Sequence, residues 1–143
     1  MKRLIVNILG GRDVGKTTVA MHAVAELRWM GISTSLNYGA SKLLTDEPPI
    51  VIMNVLWRDP STMSTHELVE MCRDTLTFLV RRSKDYVTPL GVLPSITRGR
   101  LVIDEQLENR MREGQVRYKS LPSVRASVPY IVKKICEGVG YDR

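Results

Sequence analysis

One stretch near the start of the chain constrains the fold more than any other. Residues 4–9 are apolar except for Asn7 and are long enough for one strand. A short glycine-containing segment follows, and from Lys16 onward apolar residues recur at three- and four-residue steps. This order predicts a buried central strand over 3–9, a tight loop, and a helix over 16–30 that ends at Gly31.

The glycine-containing segment has the spelling Gly-x-x-x-x-Gly-Lys-Thr, which is the P-loop or Walker A pattern. Its glycines allow the backbone N–H groups to turn inward around a polyphosphate, and the following helix presents its positive end there. Lys16 can reach the β- and γ-phosphates, and the Thr17 hydroxyl can bind Mg²⁺. A glycine-rich turn that binds nothing is the weaker interpretation. We predict that the nucleotide is bound by Gly10, Gly11, Arg12, Asp13, Val14, Gly15, Lys16, Thr17 and Thr18.

Composition limits the class of protein. The chain has 143 residues, of which 43% are hydrophobic and 25% charged, as expected of a single globular domain over 1–143. No run of 18 apolar residues is present, and the apolar N-terminal region is interrupted too early for a signal peptide. Cys72 and Cys136 lie far apart, which favours two reduced thiols. We therefore expect a cytoplasmic protein, in the host cytoplasm if it is viral, without a membrane partner.

The net charge of +6 favours anionic partners, either nucleotides or nucleic acid. Basic residues are spread along the chain, with local density at 81–84 and 98–100, and there is one Phe. Nucleic acid and protein partners are therefore less favoured than a nucleotide.

The rest of the chain alternates between strand and helix patterns. Further strands are predicted over 32–36, 50–56, 76–80 and 116–121, and further helices over 64–73, 100–113 and 128–137. A capping box marks the start of the 64–73 helix, Gly138 is predicted to end the last helix, and 83–99 has the glycine and proline content of a loop. This alternation predicts an α/β fold with a doubly wound parallel sheet in three layers.

With these motifs in place, the chain resembles the small P-loop nucleotide kinases and AAA-type ATPases found among bacteriophage proteins. The resemblance is specific at residues 10–18 and looser at 28–38, 76–84 and 99–118. It implies a nucleoside-monophosphate-kinase-like fold with five parallel strands in the order 2-3-1-4-5. It also implies ATP and Mg²⁺ as cofactors, and a lid-like segment over about 83–113.

The lid arginines are the predicted catalytic partners of Lys16. They are Arg82, Arg98 and Arg100. Phosphoryl transfer requires neutralisation of charge on the transferred group, which guanidinium forks provide. A solvated surface loop is the alternative interpretation of the same residues.

Several residues are candidates for the acidic residue that would serve the Mg²⁺ site. The family usually places an Asp after its third strand, where this chain has Asn54, and an acidic residue near Tyr38. The run Leu101-Val102-Ile103-Asp104-Glu105 matches either a Walker B strand followed by Asp-Glu or part of the 100–113 helix, and the helix is favoured. Asp59 is a third candidate, although a turn before Pro60 explains it as well. The predicted metal ligands are Thr17 and Asp104.

Three functions fit these patterns. The first is a kinase that transfers the γ-phosphoryl group of ATP to a nucleoside monophosphate or another small acceptor. The second is an NTPase or nucleotide-dependent switch with weak kinase activity or none. The third is an interaction protein on a degenerate P-loop scaffold. Adenine is the default base, because the Asn/Thr-Lys-x-Asp pattern of guanine-specific proteins is not found in the sequence.

Overall fold

The computed structural model describes residues 4–10, 16–37, 50–54, 63–82 and 94–140, with backbone alone at 37, 51–54 and 94–97. These segments contain five strands and four helices. In chain order they are β1 (Leu4–Leu9), α1 (Lys16–Trp29), β2 (Thr34–Asn37), β3 (Ile50–Asn54), α2 (Thr65–Cys72), β4 (Leu76–Arg81), α3 (Pro94–Glu113), β5 (Lys119–Pro122) and α4 (Ser127–Val139).

The five strands form one sheet in the order β2-β3-β1-β4-β5, and every neighbouring pair is parallel. This is the strand order that the family resemblance implies. β1 lies at the centre, with Ile8 aligned to Asn54 of β3 on one side and to Phe78 of β4 on the other. Parallel strands need crossover connections, and α1, α2 and α3 lie in those from β1 to β2, from β3 to β4 and from β4 to β5.

Alternate residues of the central strands enter two separate cores, one on each face of the sheet. Val6 and Ile8 of β1 belong to the core shared with α1 and α4, whereas Leu9 belongs to the core beneath α2 and α3. The second core is completed by Met63, Leu68, Leu79, Leu107 and Met111. Helices on both faces explain why β1 and β4 are apolar along most of their length.

Two predicted helix boundaries are confirmed by hydrogen bonds. Gly31 has φ of 82°, and the N–H groups of Gly31 and Ile32 donate to the carbonyls of Arg28 and Leu27, as in a Schellman motif. At the start of α2, Ser64 and Glu67 form both hydrogen bonds of a capping box.

Two other helix boundaries were predicted wrongly. α3 begins at Pro94 and not at residue 100, so the end of the predicted 83–99 loop is helical. Proline is tolerated in a first helical turn, and one interior glycine, Gly99, costs too little to break a helix of 20 residues. α4 continues through Gly138 and ends at Gly140, which has φ of 70°. Gly138 instead allows a close approach, since a Cβ there would lie 3.3 Å from Leu4 Cδ2.

The second and fifth strands begin later than predicted, because helix caps use the preceding residues. The N–H of Ile32 donates to the carbonyl of Leu27 in α1, so β2 begins at Thr34 and not at 32. Similarly, Gln115 has φ of 54° and the N–H of Val116 donates to the carbonyl of Met111, so β5 begins at Lys119 and not at 116. β3 is described as far as Asn54, and the predicted continuation to residue 56 lies outside the described residues.

Within the described segments, we find no helix with the length and apolar character needed to cross a membrane.

Candidate functional site

The two described ends of the glycine-containing loop meet at the carboxyl end of the central strand. Gly10 follows β1 directly, and Lys16 is the first residue of α1. The Lys16 side chain is 5% exposed, and its Nζ donates a 2.8 Å hydrogen bond to the Gly10 carbonyl oxygen. Burying an ammonium group is costly unless it is paired or hydrogen-bonded. This sequence therefore places a buried cation between the central strand and the first helix. Gly11, Arg12, Asp13, Val14 and Gly15 lie outside the described residues.

The start of α1 is suited to an anion. Thr17 is half-buried and Thr18 is exposed, and the first turn of the helix carries no acidic side chain. The positive end of the helix dipole is therefore not offset by a carboxylate of that turn, and the first N–H groups of the helix have no partner within the helix.

Sheet topology places a crevice at the same position. From β1 the chain crosses to β2 through α1 on one face, and it later crosses from β3 to β4 through α2 on the other face. In open α/β sheets, ligands bind outside the carboxyl ends of the strands at such a switch point. Asn54 is the last residue of β3 and is aligned with Ile8 of β1. The structure describes only its backbone. Asp59 also lies outside the described residues.

Arg82 and Asp104 form an ion pair at the edge of this crevice. Arg82 follows β4, and its Nε lies 2.5 Å from Asp104 Oδ2, while its Nη2 lies 3.4 Å from Oδ1. The side chain of Arg82 is 3% exposed and that of Asp104 is 24% exposed. Both carboxylate oxygens of Asp104 therefore face one guanidinium fork, the geometry that favours a charge-assisted bidentate pair.

The electrostatics of Asp104 connect this pair to Lys16. Burial raises the pKa of Asp104 above its ordinary value, while the hydrogen bond and charge of Arg82 and the charge of Lys16 act in the opposite direction. The structure thus brings Lys16, Arg82 and Asp104 into one electrostatic cluster, although they are distant in sequence.

The two other candidate arginines lie on α3 and differ in their exposure. Arg100 is half-buried and stands one turn before Asp104, so the two residues share a helix face. Arg98 is exposed, as are Leu101 and Val102 near it. The structure therefore places Arg100 on the side of the cluster and leaves Arg98 at the surface.

The Walker B interpretation of residues 101–105 is wrong, and the helical alternative is confirmed, because all five residues lie within α3. Leu101 and Val102 are exposed, whereas a strand ending at a metal site would be buried. The apolar residues that do pack are Leu107 and Met111, four apart on one helix face.

A second ion pair joins β4 to α3, and the sequence did not single it out. Arg81 hydrogen-bonds to Glu108, which also accepts from Arg112 at 3.0 Å and from the Tyr118 hydroxyl at 3.2 Å. Burial acts to raise the pKa of Glu108, but the hydrogen bonds from its arginines outweigh burial and hold it below the ordinary value. A signal was available, since Asp104 and Glu108 are four residues apart on a helix that follows two adjacent arginines.

These two pairs border an open groove of about 240 Å³ between β4 and α3. Its lining also includes apolar residues and one further carboxylate, namely Leu79, Val80, Leu101, Leu107 and Glu105. Arg82 and Asp104 belong both to the lining of this groove and to the cluster with Lys16.

A buried polar network joins the central strand to the end of α2 and to β4. Asn7, which is 1% exposed, donates through Nδ2 to the Met71 carbonyl at 3.2 Å, to Thr75 Oγ1 at 3.0 Å and to Thr77 Oγ1 at 3.4 Å. Burial raises the pKa of the neighbouring Cys72 thiol, and its hydrogen bonds to Thr77 and Asn7 act in the opposite direction. The network fixes β1 against β4 and satisfies a carbonyl at the end of α2.

Within the described residues, no three His, Cys, Asp or Glu side chains converge to hold a metal ion. The chain matches no protein-family model and no curated protein.

Proposed function

We propose that this chain is a P-loop nucleotide-binding domain that binds ATP with Mg²⁺ and acts as a small nucleotide kinase. The observation that carries the proposal is the buried Lys16 at the start of α1, hydrogen-bonded to the carbonyl of Gly10 at the end of the central parallel strand. A lysine held there can exchange a carbonyl oxygen for phosphate oxygens without leaving the loop.

Each described residue of the cluster then has a role. Lys16 binds the β- and γ-phosphates, and the N–H groups at the start of α1 bind phosphate oxygens. Arg82 and Arg100 offset the charge that develops on the transferred group, as guanidinium groups do in phosphoryl transfer. Asp104 acts through Arg82 as a positioning residue, because its two oxygens hold the guanidinium fork in one orientation.

The donor set near Lys16 is compatible with Mg²⁺. This ion keeps several waters and needs only one or two protein groups beside the phosphates, so an all-protein cage is not required. Thr17 is the described residue that would hold it, and the ion would supply charge neutralisation on the phosphates. Two free cysteines, Cys72 and Cys136, support a reducing cytoplasmic setting.

The second candidate function is an NTPase or nucleotide-dependent switch without a small acceptor. It is supported by Asn54 at the end of β3, since a neutral side chain there holds a metal-bound water less firmly than a carboxylate would. In this case the ion pair of Arg82 and Asp104 changes its contacts according to whether the γ-phosphate is present.

An acceptor screen distinguishes these functions. ADP formation is followed with ATP, Mg²⁺ and each nucleoside monophosphate in turn, and with no acceptor. Kinase activity predicts ADP formation that depends on one acceptor, and it predicts a loss of about 10²-fold or more in Arg82→Gln. Arg73→Gln, which removes an exposed arginine of the α2 end, is the matched control. ADP formation that no acceptor stimulates, with the same loss in Arg82→Gln, identifies the NTPase.

A further inference from the structure

The positive charge of this protein is concentrated in one continuous segment. Residues 115–136 contain five basic side chains and no acidic one, whereas the whole chain has a formal net charge of +6. The five are Arg117, Lys119, Arg125, Lys133 and Lys134. Lys119 lies on β5, at the edge of the sheet, and Lys133 and Lys134 lie on α4, whereas Arg117 and Arg125 lie in the segments just before these elements.

The fold brings two of these lysines onto one aromatic ring. Lys119 of β5 and Lys134 of α4 have their Nζ atoms 5.7 Å and 5.6 Å from the centre of the Tyr130 ring. Each ammonium is attracted to the ring, and both add positive charge to this part of the protein. The two lysines are 15 positions apart in the sequence, so no local pattern indicates this cluster.

The other cations extend the same surface. Arg117 precedes Lys119 by two positions, Lys133 adjoins Lys134, and Arg125 lies in the turn between β5 and α4; all three are exposed. Glu137 lies 3.3 Å from Lys134, but both side chains are exposed, and such a pair contributes little. The surface therefore presents spaced positive charges to solvent.

We propose that β5 and α4 form a binding surface for the phosphate backbone of duplex DNA. Exposed lysines and arginines neutralise the phosphates of a double helix and do not read its sequence. This surface is separate from the carboxyl end of β1, and the proposal does not depend on nucleotide binding there.

Two features disfavour other polyanions. Single-stranded nucleic acid is bound through aromatic faces on which bases stack, but Tyr130 is approached by two ammonium groups and packs edge-on against Phe78. Anionic membranes take up helices through an exposed apolar face. The apolar face of α4, formed by Val128, Ile131, Val132 and Ile135, is buried in the core.

The test measures binding of the full chain to a short fluorescent DNA duplex of mixed sequence at several salt concentrations. Each neutralised phosphate contributes about −0.9 to the slope of log K against log salt concentration. The double variant Lys119→Gln/Lys134→Gln should make this slope shallower by about 1.8 and weaken binding near 0.1 M salt by about 10- to 100-fold.

The matched control is Arg73→Gln/Arg112→Gln, which removes the same charge from exposed positions on α2 and α3. It should leave the slope and affinity close to those of the wild type, and circular dichroism should show that both double variants are folded. An equal loss in the two double variants overturns the proposal, because net charge alone would then explain binding. Tighter binding to the single strand, or to vesicles containing anionic lipid, overturns it as well.

Discussion

The polar network around Asn7 makes a quantitative prediction about stability. Replacing Asn7 with Leu keeps the approximate volume but removes the only amide that donates to the Met71 carbonyl and the Thr77 hydroxyl in this network. A buried polar group that loses its partner costs about 1–3 kcal/mol. Added apolar burial of the leucine offsets part of that loss. We therefore expect Asn7→Leu to lower the free energy of unfolding by about 2 kcal/mol.

A double-mutant cycle isolates the hydrogen-bonding term. Asn7 and Thr77 are aligned on neighbouring strands, and both are buried. Thr77→Val alone should cost about 1 kcal/mol, since the amide of Asn7 keeps its contacts with Met71 and Thr75. The double variant Asn7→Leu/Thr77→Val should cost about 1 kcal/mol less than the sum of the single variants, because both partners are then apolar.

Urea unfolding followed by circular dichroism measures all three variants, and an unchanged m value shows that each midpoint shift reports stability. Strictly additive costs would refute the reasoning, because they would mean that Asn7 and Thr77 do not interact. A cost below about 0.5 kcal/mol for Asn7→Leu would refute it too, since the network would then be dispensable.

Two further predictions concern α3 and are also measured by urea unfolding. Gly114→Ala should destabilise the protein by about 1–3 kcal/mol, because its Cβ would lie 2.6 Å from Val69 Cγ2. Gly99→Ala, the matched control, meets nothing within 4 Å and should stabilise the helix by about 0.5–1 kcal/mol; destabilisation there would contradict a helix over this position. Because the folded-state pKa of Glu108 is lowered, its contribution is present above its unfolded value of about 4.5 and is lost as pH falls through the folded value. Glu108→Gln should therefore lose less stability than the wild type between pH 7 and acid, and an equal loss would contradict the assignment.

Much of the architecture could be predicted from local patterns. The first strand and helix, the capping box at Ser64 and the C-terminal glycine at Gly31 depend on residues that are close in sequence, and the structure has each of them. The errors arose where a tertiary contact or a cap decided the outcome. Gly138 was predicted to end α4, but it lies inside the helix, and Gly140 in the left-handed conformation is the C-cap.

The candidate site could be predicted only in part, because its charged cluster is built from distant segments. Lys16 was predicted from the loop pattern, and its position at the end of β1 follows from the adjacent strand. Nothing local indicates that Asp104 would pair with Arg82, since they are 22 positions apart and their approach depends on how α3 lies over β4. The lysines around Tyr130 were missed for the same reason, whereas Glu108 was missed although its four-residue spacing from Asp104 on one helix is a local signal.

Calorimetric titration of ATP and Mg²⁺ into the wild type, Lys16→Ala and Lys133→Ala tests the central claim most directly. Lys133 is an exposed lysine of α4 and controls for the loss of one positive charge. A charge-assisted hydrogen bond contributes about 1.5–3 kcal/mol, so Lys16→Ala should bind ATP about 10- to 150-fold more weakly while Lys133→Ala binds as the wild type does. Circular dichroism verifies that each variant is folded. If folded Lys16→Ala binds ATP with the wild-type affinity, or if the wild type binds no nucleotide, Lys16 is not part of a phosphate site and the proposed function is wrong.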